Sequence, residues 1–71
     1  MQRYLIVIEP TATGFSGFSP DLPGCVAAGA SREDIERELR AAIAFHIDGL
    51  RAGGLPVPAP TSSASYVEVS A

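Results

Sequence analysis

Three kinds of side chain in this 71-residue sequence could do chemistry: one thiol, one imidazole and a set of carboxylates. Cys25 lies in "SPDLPGCVAAG", Ser19 to Gly29, directly after a proline-glycine pair. A reactive thiol needs a lowered pKa, which a helix N-terminus or an adjacent cation supplies. Neither flanks Cys25, so it reads as a small, half-buried side chain that begins a strand. His46, its only imidazole partner for nucleophilic chemistry, is distant along the chain and reads as a packed or interface residue. With a single histidine and a single cysteine, no site built from several His or Cys ligands is available. Glu9, one of Glu33, Glu36 or Glu38, and Glu68 would fall on strand, helix and strand, an order superficially like that of a two-metal nuclease. Such a site requires acids that converge on a divalent ion. The helix acids are instead interleaved with Arg37 and Arg40, as on a solvated face. No catalytic residue, metal ligand or cofactor is therefore expected, and a residual metal-dependent nuclease is kept only as an alternative.

The elements that would position these groups follow from periodicity. "RYLIVIEP" is rich in β-branched and aromatic residues and ends at Pro10, which predicts a strand of about six residues. Its run Tyr4 to Ile8 is apolar at every position, so Tyr4, Ile6 and Ile8 face one side and Leu5 and Val7 the other. "TATG" is a turn into a second strand, "FSGFS". Phe15 and Phe18 point to opposite faces of it in a regular pleat, or to one face with a bulge at Gly17. "PDLPG" is a further turn, in which Gly24 follows Pro23 with the positive φ of a type II turn. "CVAAG" is the third strand of an antiparallel meander.

From Ser31 the period changes to steps of three and four: Ile35, Leu39, Ala42, Ile43, His46, Ile47 and Leu50 form one stripe of a helix over about residues 32–52. Ser31 suits the N-cap with Asp34 at N3, Glu33–Arg37 and Glu36–Arg40 are i,i+4 pairs, and Gly53-Gly54 ends the helix. "LPVPAPTSSAS" reads as an extended connection. "YVEV" alternates again and predicts a fourth strand. The expected fold is α+β, in the order β-β-β-α-β, with the fourth strand beside the first and the spatial order 3-2-1-4.

Size and charge narrow the function. Seventy-one residues make one domain, 1–71, that buries only about 60% of its unfolded surface, so help from a partner chain is expected. Eight acids oppose five arginines, with no lysine, for a net charge of −3. The basic stripe of a nucleic-acid binder is missing, and an acidic chain sooner attracts a basic protein. The first apolar run is far shorter than the roughly 20 residues of a membrane span. A cytoplasmic protein with no membrane partner is expected.

The stretches "YLIVIEP", "PDLPGC", "GAS" before the acidic helix start, and "LPVPAP" after the helix together resemble the HicB family of antitoxins over nearly the whole chain. The resemblance implies a partial RNase H-like core and a non-enzymatic protein that neutralises a small basic mRNA-cleaving toxin, HicA. Many HicB proteins add a DNA-binding segment at the C-terminus. This sequence ends at Ala71 without one, so direct DNA binding is not expected. A stand-alone homo-oligomeric domain with an unknown ligand is the other alternative.

Homo-oligomerisation is expected on physical grounds, because one helix covers one face of a sheet whose first strand is apolar on both. Phe45 lies off the apolar stripe among Glu38, Ala41 and Asp48, which marks it as a contact for a partner chain. The candidate protein interface is Leu5, Val7, Phe15, Phe18, Phe45 and Asp48.

Overall fold

The computed structural model describes residues 2–71. Three strands, β1 (Val7–Pro10), β2 (Phe15–Phe18) and β3 (Val26–Gly29), precede one helix, α1 (Arg32–Ala52). The strands form an antiparallel sheet in the order β1-β2-β3. Its register is unbroken: Val7 faces Phe18 and Pro10 faces Phe15, while Phe18 faces Val26 and Phe15 faces Gly29. A regular pleat follows, without the alternative bulge at Gly17.

α1 occupies the span that its periodicity predicts, Arg32–Ala52. Ser31 is extended at φ −142° and accepts the Asp34 N–H at 3.1 Å, so one orphan donor of the first turn is satisfied. At the other end the Leu55 N–H donates to the Leu50 carbonyl and the Gly54 N–H to the Arg51 carbonyl. This is the paired bonding of a Schellman stop. The expected Glu33–Arg37 and Glu36–Arg40 pairs are replaced by an Asp34–Arg37 ion pair at i,i+3. Asp34 is placed closer because the N-cap bond already fixes its turn, and Arg37 holds its carboxyl below the usual carboxylate range.

α1 lies across β2 and β3. Its contact with the sheet centres on Gly17, where an added Cβ would stand 2.5 Å from Ile35 Cγ2 and 3.2 Å from Leu39 Cδ1. Ile35 and Leu39 are fully buried there, and Leu22 and Cys25 extend the core towards the loop between β2 and β3. In that loop the Cys25 N–H closes a turn onto the Leu22 carbonyl at 3.1 Å, with Gly24 at φ +92°. Pro23 and Gly24 thus occupy the two central positions of a type II turn. Ser19, also buried, donates its hydroxyl to the Leu5 carbonyl at 3.0 Å and ties this loop to the N-terminal segment.

Two expectations are corrected. The first strand is four residues long in the ladder and begins at Val7, so Tyr4–Ile6 precede it unpaired. The fourth strand, and with it the order 3-2-1-4, does not form within the chain: Tyr66–Val69 join no ladder. A strand is held by backbone bonds to a neighbour, and the returning chain makes none with the sheet. It is held by side chains instead. Asp21 accepts bonds from the Ser62 N–H, the Ser62 hydroxyl and the Thr61 hydroxyl at 3.0, 2.8 and 3.2 Å, and the Tyr4 hydroxyl donates to the Pro58 carbonyl at 2.6 Å.

Gly17→Ala is expected to overpack the helix contact and destabilise the fold by about 1–3 kcal/mol. Gly49→Ala, in the open interior of α1 with nothing within 4 Å, should stabilise by about 0.5–1 kcal/mol. Chemical denaturation of the two variants against the parent chain checks the opposite signs. The Asp21 carboxyl is held below its usual range chiefly by the Ser62 N–H, so the folded state favours its anion. The tether is therefore complete above the ordinary carboxylate pKa of about 3.9 and is lost as the pH falls through and below it. The Ser62 amide resonance should shift on acidification, and Asp21→Ala should produce that shift at neutral pH.

Candidate protein interface

The groups that could do chemistry are held apart or sealed. Cys25 is 4% exposed, and burial pushes its thiol pKa up, the opposite of activation. It stands just before β3, more deeply buried than the half-buried strand start that the sequence suggests. His46 is half-buried on α1. Glu9 is on β1, Glu33, Glu36 and Glu38 are on α1, and Glu68 is in the segment that leaves the sheet. Among the described residues no three His, Cys, Asp or Glu side chains come close enough to hold a metal ion. Among them, too, no helix is long and apolar enough to cross a membrane.

What the fold does present is surface. Gly17 faces α1, so in a regular pleat Phe15 shares the helix side and Phe18 turns to the opposite side. Cross-strand partners share a face, which sets Val7, Phe18 and Val26 in one row on the side that α1 leaves uncovered. Leu5, two residues before Val7, continues the row by the same alternation. Phe18 is 39% and Val26 67% exposed. The six residues anticipated as an interface therefore divide. Leu5, Val7 and Phe18 line the open sheet face, Phe15 is half-buried on the helix side, and Phe45 and Asp48 belong to α1. Val26 is the residue that sequence reasoning missed, since only its pairing with Phe18 reveals that it completes the row.

On α1 the outward face carries Phe45, 82% exposed, with Glu38, Ala41 and Asp48 also exposed around it. An aromatic ring in water among carboxylates has the composition of a contact for a cationic surface. Behind Asp48, α1 and the N-terminal segment enclose a groove of about 650 Å³, walled by Tyr4, Ile6, Ile43 and Ile47 and rimmed by Arg40 and Arg51. α1 packs chiefly on β3 and β2, and Ile43 and Ile47 meet Tyr4 and Ile6 only across this groove.

The arrangement has relatives. The chain is similar to an uncharacterized 14.9 kDa protein of the rep-hol intergenic region of Haemophilus phage HP1 (strain HP1c1), with 31% identity over 64 residues. That match covers 90% of this chain and 48% of the phage protein, so the chain spans about half the length of this curated relative. Among solved structures it is similar to a chain of a HicA3 and HicB3 toxin-antitoxin complex, with 40% identity and a TM-score of 0.69 over 84% of this chain and 70% of that one. The sequence profile described as the HicB_like antitoxin of bacterial toxin-antitoxin systems matches residues 4–70. With nearly its whole length inside that profile and its fold matched by a chain of a HicA3 and HicB3 complex, the chain belongs to the HicB-like antitoxin family.

Proposed function

We propose that this protein is a non-enzymatic antitoxin of the cytoplasm that binds and neutralises a small basic HicA-type mRNA-cleaving toxin, and that it also self-associates. The observation that carries the reading is the likeness, at 40% identity, to a chain of a toxin-antitoxin complex. Three features of residues 1–71, read as one HicB-like domain, support it. The net charge of −3 suits a basic partner. Phe45, exposed and flanked by Glu38 and Asp48, offers an aromatic anchor inside an acidic rim, the arrangement in which a few residues dominate binding. The potentially reactive groups are sealed or dispersed, so the protein acts by covering a surface. Self-association is supported by the row Leu5, Val7, Phe18 and Val26, an apolar strip on the sheet face opposite α1 that a second copy would remove from water.

Co-expression with the toxin-like protein encoded beside its gene should restore growth, and the two should co-purify. Lack of rescue and of co-purification overturns the toxin partnership. Because Phe45 is exposed, Phe45→Ala should leave the unfolding midpoint unchanged while weakening toxin binding about tenfold or more by calorimetry. Unchanged affinity removes the helix face from the interface.

A further inference from the structure

Two segments of this chain have the composition of strands and no strand beside them. Tyr66, Val67, Glu68 and Val69 alternate as a strand would, yet Tyr66 is 102%, Val67 81% and Val69 77% exposed. The molecule is drawn out accordingly. Its radius of gyration is 14.0 Å and its longest axis 48 Å, whereas a compact chain of this length has a radius of gyration of about 11 Å. In the sheet β1 is an edge strand, and Tyr4–Ile6, which prolong it, are unpaired. Beneath that edge lies the groove walled by Tyr4, Ile6, Ile43 and Ile47. An open edge above an apolar floor is a template for one more strand.

We propose that these two features are the halves of one interface between two copies of this chain. Tyr66–Val69 of a second copy pairs with the outer edge of β1 and its extension Tyr4–Ile6, and Val67 and Val69 cover the groove. Each half of the dimer then has the strand order β3-β2-β1-β4, with β4 supplied by the other chain. The inference rests on the self-association put forward above and specifies how it is achieved.

The course of the chain favours a second copy over the chain's own tail. Ser62–Ala64 run beside Arg3–Ile6, with a cleft between them and no backbone hydrogen bond joining them. Asp21 holds Thr61 and Ser62 at that point. The tail passes its own edge without pairing: residues 63–65 form no turn onto it, and Tyr66–Val69 beyond them stand in water. In two copies related by a two-fold axis, each tail leaves its chain beside the edge that the other tail must complete, so the exchange is reciprocal and closed. Residues 65–71 reach about 23 Å at roughly 3.3 Å per residue, enough to cross to the neighbouring edge and run along it.

The test combines Val67→Asp with Val69→Asp in the full chain. Both side chains stand in water in the single chain, so the double variant should keep the helical far-UV circular dichroism and the unfolding midpoint of the core. Sedimentation should show the parent chain as a dimer at tens of micromolar and the double variant as a monomer, with self-affinity at least 100-fold weaker. Hydrogen exchange should show amides within Tyr66–Val69 protected in the dimer and unprotected in the variant. A variant that stays dimeric overturns the strand exchange and leaves self-association through the open sheet face. Protected tail amides in a monomeric parent chain overturn it in favour of a tail folded onto its own edge. A monomeric parent chain with unprotected tail amides overturns both the exchange and self-association.

Discussion

The close approach of α1 to the sheet at Gly17 is the contact on which the rest of this structure depends. Ile35 and Leu39 are fully buried against a position with no side chain, and the space beneath them would not hold a methyl group. In a chain this small, few other residues are wholly removed from water, so the helix has one place to sit. Its position over β2 and β3 decides what is left uncovered. One face of the sheet keeps its row of apolar side chains, and a groove is left between α1 and the segment that leads into β1.

The loop between β2 and β3 does a second structural job. Its two turns bury Leu22, Ser19 and Cys25 as a small extension of the core, and the Ser19 hydroxyl fastens the N-terminal segment. Its Asp21 then fixes the chain that returns from the helix. A stretch that carries the chain's sole thiol is thus an organiser of three separated segments, and the thiol is filling. Burial that favours the neutral thiol makes Cys25 stable in place and unreactive.

A protein with so small a core and so much ordered apolar surface is suited to binding other proteins. The exposed Phe45 among carboxylates and the uncovered sheet row lie on different sides of the molecule, so the two surfaces are independent of one another. Separation of this kind follows from a two-layer fold with a single helix, whose outer face and whose sheet's outer face are opposite by construction.

The helix was legible in full from its sequence, because its start, stop and stripe are each set by local chemistry: a serine cap, a glycine stop and apolar residues at three and four. The meander and the Gly24 turn were legible for the same reason, since a proline-glycine turn selects its own backbone angles. Register was not, and with it went the face assignments: only the pairing of Phe18 with Val7 and Val26 shows which aromatic ring is turned from the helix and that Val26 joins the row. The alternation of Tyr66–Val69 stated truly that the segment has the makings of a strand. Whether it pairs, and with which edge, depends on backbone bonds to a distant segment, and in the single chain those bonds are not made. Local sequence determined the elements and the acidic character of this chain. Tertiary structure decided which surfaces those elements leave open, because that depends on where one helix finds room to pack.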